Sequence, residues 1–141
     1  MAVRQADAEW RGALPQGSGH MRLGSGAFDG PYDFRSRMGD GTGTNPEELL
    51  GAAHAGCFSM ALAAQLTQAG LTPERIHTKA KVHFDQQAGG WTIHTIELET
   101  EGSVPGIDAA GFEAKAQDAK KNCPVSRALA GVEIKLTAKL L

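Results

Sequence analysis

Two cysteines, Cys57 and Cys123, are the side chains of this 141-residue chain with the chemistry of a redox nucleophile, and they stand 66 positions apart. Cys57 lies inside "TNPEELLGAAHAGCFSMALAAQLTQAG", a stretch with the spacing of a helix and almost no polar side. A free thiol in such surroundings is often inert core packing, because cysteine behaves as a small hydrophobe. Cys123 is different. In "KKNCPVSRAL" it stands just before Pro124, at the start of a short predicted helix, where backbone N–H groups and the helix dipole lower a thiol's pKa. A plain helix cap is the alternative there, although a thiol caps poorly compared with Ser or Asp. A structural zinc site is disfavoured, since it wants four ligands with Cys or His pairs a few residues apart. His54 and Cys57 form an i, i+3 pair on one helix face, which leaves a Cys-His hydrolase open, but no third group that would orient the histidine is evident. His77, His83 and His94 fall in strand patterns, where packed or solvated histidine is the default.

The elements around these residues follow from pattern. The long helix starts at Thr44 or Asn45 as cap, with Pro46 in its first turn and Glu47 and Glu48 where the dipole favours anions; Gly70 stops it. Apolar residues cover nearly every direction of it, so it must be wrapped by sheet or by another subunit. Gly51, Ala52, Ala55 and Gly56 would admit a second backbone, as in a symmetric dimer. Before the helix, glycine-rich turns separate short strands at "HMRLGS" and "PYDFRSRM". After it, "RIHTKAKVHFD" and "WTIHTIELETE" read as a hairpin, and the parity slip from Ile93 to Ile96 places a bulge near His94 and Thr95. "GIDAAGFEAKAQDAKKN" is a second helix with Asp108 as cap, and "VEIKLTAKLL" alternates as a last strand. Strands, helix, strands, helix, strand make an α+β chain, expected to be a single domain over 1–141. A net charge of −2 offers no field for nucleic acid or an anionic membrane. "MAVRQADAEWRG" has no apolar core of a signal peptide, so a soluble cytoplasmic protein is expected, in which two cysteines pair transiently if they pair at all.

"TNPEELLGAAHAGCFSMAL", followed by "CPVSRAL", with "PYDFRSR" upstream and "VPGID" before the second helix, resembles the OsmC/Ohr family, and within it the osmotically inducible protein C branch. The resemblance runs from about Trp10 to the C-terminus. It implies the OsmC/Ohr-like fold, with antiparallel sheets around a long central helix, in an intertwined homodimer. It also implies a thiol-dependent peroxidase that takes organic hydroperoxides in preference to hydrogen peroxide. By motif, Cys57 corresponds to the peroxidatic cysteine, Cys123 to the resolving cysteine, Glu47 to the family's glutamate and Arg37 to its arginine, with Arg35 as the other candidate on the same face of a strand. The implied cycle passes through Cys57 sulfenic acid and a Cys57–Cys123 disulfide, with no metal or bound cofactor. An external thiol reductant, such as a lipoylated protein, thioredoxin or a small dithiol, resets it. The branch name implies a response to osmotic stress, and the peroxidase chemistry a defence against oxidative stress. Glu47 and Cys57 are ten residues apart on one helix, about 15 Å along its axis, so Glu47 is expected to serve the Cys57 of the other subunit. A non-catalytic small-molecule-binding domain and the Cys57/His54 hydrolase remain the competing readings.

Overall fold

The computed structural model describes residues 1–141, which form two compact units, Met1–Leu49 and Leu50–Leu141. The first unit is an antiparallel meander of β1 (Ala6–Arg11), β2 (Ser18–Leu23) and β3 (Asp29–Tyr32), followed by α1 (Phe34–Met38) and the first turn of α2 (Pro46–Gln68). The central strand β2 places Gly19 opposite both Trp10 and Tyr32. The two rings close over it with centroids 5.5 Å apart, and a Cβ on Gly19 would collide with both, so only glycine fits.

The segment "PYDFRSRM" is not one strand. Its first residues end β3, and the rest wind into α1, because Asp33 and Ser36 make a reciprocal capping box: the Asp33 carboxylate accepts from the Ser36 N–H at 2.7 Å, and the Asp33 N–H donates to the Ser36 hydroxyl at 2.9 Å. Arg35 and Arg37 therefore do not share a face. Two residues apart on a helix, they diverge by about 200°.

The second unit holds the remainder of α2, then β4 (Arg75–Gln87), β5 (Gly90–Ser103), α3 (Ala109–Asn122), α4 (Pro124–Ala128) and β6 (Glu133–Leu140). The sheet order is β4-β5-β6. β4 and β5 form the expected hairpin, and the register shifts so that His83 faces Thr95 while Phe84 faces Ile93, which leaves His94 as the bulged residue. β6 lies parallel to β5, not antiparallel, because the α3–α4 segment carries the chain back across the sheet before it pairs. Inward residues of the sheet, among them Ile96 and Leu98, meet Phe58, Leu62 and Leu66 of α2 and Phe112, Ala116 and Ala119 of α3 in one apolar core. The other face of β5 carries Glu97, Glu99 and Glu101, which pair with His83, Lys81 and Arg75 of β4.

α2 is capped by Asn45, whose side-chain oxygen accepts from the Glu48 N–H at 2.7 Å, and it ends where Gly70 turns with φ of 80°. By length and composition it is the one helix apolar enough to cross a bilayer, yet Phe58, Leu62 and Leu66 are fully buried in the protein core. Gly51 has a local cause: it faces Val82 and Ala80 of β4, and a Cβ there would press on Val82 at 3.3 Å. Ala52, Gly56 and Met60, by contrast, lie exposed.

Candidate active site

Cys57 sits in the middle of α2, partly exposed, and Cys123 is fully buried at the joint between α3 and α4. The Cys123 N–H closes α3 onto Ala119 at 2.8 Å, and its carbonyl accepts from the Arg127 N–H at 3.0 Å to open α4. Pro124 at the first position of α4 makes that handover compact. This geometry brings the two thiols against each other as hydrogen-bond partners although 66 residues separate them.

Their environments push them apart in acidity. Burial raises the Cys57 thiol, the Val125 N–H opposes that, and the adjacent Cys123 adds to the rise. Burial raises Cys123 too, but the Ser126 N–H, Cys57, the Ser126 hydroxyl and the Val125 N–H together hold it below its ordinary value. Cys123 stands at the cap position of α4 without a regular side-chain capping hydrogen bond, so these groups act on the sulfur as a surrounding set of donors.

His54, one turn before Cys57, is fully buried, and its Nε2 meets the hydroxyl of Ser126 at 2.7 Å. Its Nδ1 has no hydrogen-bond partner. Neither ring nitrogen is hydrogen-bonded to Cys57, so the Cys-His pair that a hydrolase would need is not formed here. Ser126 was not foreseen from sequence: it lies 72 positions from His54, and only the fold joins them.

The first unit holds the other predicted pair. Ser36 is buried at the end of α1's first turn; its hydroxyl donates to the Thr44 carbonyl at 2.7 Å, and Asn45 donates to the Ser36 carbonyl at 3.0 Å. These bonds tie α1 to the start of α2 and so set Arg37 beside Glu47. The Arg37 guanidinium donates from Nε to both carboxylate oxygens, at 3.1 and 3.2 Å, and from Nη2 to Oε1 at 2.7 Å. Glu47 is buried, whereas Arg35 pairs with the exposed Asp40. The fold thus assembles Cys57 with Cys123 in one unit and Arg37 with Glu47 in the other. Nowhere do three or more His, Cys, Asp or Glu side chains gather as metal ligands.

The family model for OsmC-like proteins matches residues 39–137, a span that takes in Glu47, Cys57 and Cys123. The chain belongs to the OsmC family. Among its OsmC-family relatives, Peroxiredoxin OsmC of Escherichia coli (strain K12) is 46% identical over 127 residues, 89% of each chain. An organic hydroperoxide resistance protein of Xanthomonas axonopodis pv. citri is 36% identical over 99 residues, 69% of this chain and 68% of that one. The crystal structure of the organic hydroperoxide resistance protein OhrB of Bacillus subtilis matches this OsmC-family fold with a TM-score of 0.77 at 26% identity, over 96% of this chain and 98% of that one.

Proposed function

We infer that this OsmC-family protein is a thiol peroxidase that reduces organic hydroperoxides, with Cys57 as the attacking sulfur and Cys123 as the resolving one. The observation that carries the residue assignment is the meeting of the two thiols at the junction of α2 with α4. A thiolate on Cys57 attacks the distal peroxide oxygen, the alcohol departs, and Cys57 becomes a sulfenic acid. Cys123 condenses with it to a disulfide and releases water, and an external thiol reductant restores both thiols. Sulfur alone carries the electrons, so the cycle calls for no resident cofactor.

Burial works against the first step, because it pushes Cys57 up while Cys123 is held down. A cation beside Cys57 reverses that order. Arg37 suits that role, because its guanidinium keeps its charge at every working pH and Glu47 grips it at two oxygens. The ten residues between Glu47 and Cys57 on one helix, about 15 Å, favour an arrangement in which the Arg37–Glu47 pair of one subunit serves Cys57 of the other. The exposed Ala52, Gly56 and Met60 of α2 supply a face for such a homodimer. A cytoplasmic location would supply the reductant, a lipoylated protein or thioredoxin.

The test is stoichiometric cumene hydroperoxide added to the reduced protein, with free thiols and intact mass followed over time and hydrogen peroxide run in parallel. Loss of both thiols with a mass drop of about two hydrogens, faster for the organic peroxide, is the expected result. Two thiols persisting after long exposure would overturn the reading in favour of a binding domain with an inert Cys57.

A further inference from the structure

The mechanism leaves one buried titratable group without a role. His54 is fully enclosed and has its only hydrogen bond at Ser126, a residue with 6% exposure. An imidazole placed in an apolar core with one nitrogen unpartnered is costly, and a leucine or phenylalanine would fill that volume more cheaply. The hydrogen count around Ser126 explains what it does. The serine hydroxyl has a single hydrogen, and two groups compete for it: His54 Nε2 at 2.7 Å and the sulfur of Cys123. His54 Nδ1 finds no partner. A buried orphan N–H is rarer and costlier than a buried orphan lone pair, so the lone pair sits on Nδ1 and the hydrogen on Nε2. Burial lowers the pKa of the ring below its ordinary value and so favours the neutral form. With Nε2–H donating to Ser126, the serine hydrogen is free to point at Cys123.

We propose that His54 and Ser126 are positioning residues for the resolving step: His54 orients the Ser126 hydroxyl so that it donates to the Cys123 sulfur as that sulfur attacks the Cys57 sulfenic acid. This rests on the peroxidase reading above. In that step the Cys123 S–H and Cys57 S–O bonds break and the S–S bond forms. The Cys123 proton joins the departing hydroxide as water, and the two sulfurs end at the same oxidation level. A donated hydrogen bond stabilises the Cys123 thiolate before attack, which raises the fraction of Cys123 ready to react.

Two measurements test it, one with peroxide and one without. In single-turnover reactions with one equivalent of cumene hydroperoxide, Ser126→Ala should slow disulfide formation about tenfold, the size expected when one thiolate hydrogen bond is lost. A sulfenic acid should then accumulate that dimedone captures. Ser126→Thr, which keeps the hydroxyl, should restore most of the rate. His54→Gln, which keeps an N–H donor, should fall less than His54→Leu. Separately, in a Cys57→Ser background with no peroxide, Ser126→Ala should lower the thiolate absorbance of Cys123 at neutral pH. Unchanged disulfide formation and unchanged absorbance would overturn the proposal. So would an equal loss of sulfenate formation and of resolution in Ser126→Ala together with a lowered melting temperature, because that would mark a purely structural role. If the parent protein forms no sulfenate while the absorbance still falls in Ser126→Ala, the peroxidase reading fails and takes the resolving role with it, while the hydrogen bond from Ser126 to Cys123 stands.

Discussion

Arg37 and Arg35 show how far one side chain can be read from sequence. Both lie in "PYDFRSR", and Tyr32 and Phe34, two apart, imitate a strand on which the two arginines would share a face. The capping box of Asp33 and Ser36 turns them onto different sides of a helix, and only Arg37 reaches Glu47. Removing it should be severe: Arg37→Ala is expected to lower kcat/KM for cumene hydroperoxide by about 100-fold, the loss typical of one preorganised charge donor, with Arg37→Lys in between because an ammonium has no fork. Arg35→Ala should stay within about twofold, since its partner is an exposed Asp40 and such surface pairs contribute little. Steady-state kinetics of the three variants separates these outcomes, and equal losses in Arg35→Ala and Arg37→Ala would undo the assignment. The cysteines themselves were legible because their flanking motifs are long and specific. Ser126 was not, because nothing local in "CPVS" announces a partner 72 residues away.

At the level of elements, strong local grammar was readable and long-range pairing was not. Asn45, Pro46 and Gly70 delimit α2, Asp108 caps α3 at the Gly111 N–H, and the slip between Ile93 and Ile96 is the bulge at His94. Each is a signal carried within a few residues. The parallel pairing of β6 with β5 depends on where the α3–α4 crossover returns, and alternation along "VEIKLTAKLL" is the same for either direction. The small residues of α2 were read as a helix contact, yet Gly51 is spent on the sheet beneath it. Two substitutions weigh these elements. Asn45→Ala should cost about 1 kcal/mol of unfolding free energy through the lost cap, and Leu62→Ala about 2 to 5 kcal/mol through the cavity left in the core. Gly102→Ala should be worse tolerated than Gly56→Ala, because its Cβ would lie 2.8 Å from the Phe112 ring while nothing stands within 4 Å at Gly56. Chemical denaturation of the reduced proteins is the measurement; a Gly102→Ala variant as stable as the parent would contradict the close packing of α3 on β5.

For the molecule as a whole, the proposed disulfide links residues 66 apart, and a chain-entropy estimate gives the oxidised form about 4 kcal/mol of added stability as an upper guide. Melting of reduced and oxidised protein at one pH should show the oxidised form higher; equal melting temperatures would mean that closure strains the native state. Stability should also respond to acid through His54. Burial lowers its folded-state pKa below the ordinary value of about 6.5, so the unfolded chain binds the extra proton first. The contribution is therefore present above about pH 6.5 and is lost as pH falls toward the lowered folded value. His54→Gln should flatten the melting profile in that window, and an unchanged slope would show that other groups govern it. If the homodimer proposed above is correct, Met60→Asp on the exposed face of α2 should shift the protein toward monomer by light scattering and reduce turnover with both cysteines intact. A dimer that persists would move the interface elsewhere.

The unequal exposure of the two sulfurs gives the oxidised protein a direction. Cys57 is partly open to solvent and Cys123 is fully enclosed, so an incoming thiol meets Cys57. Attack there makes Cys123 the departing sulfur, and the donors that hold its thiol below its ordinary value also make it a good leaving group. Regeneration would then pass through a mixed disulfide between the reductant and Cys57, and the shape of the α2 surface around that one sulfur, not the chemistry of the pair, would decide which reductants the protein accepts.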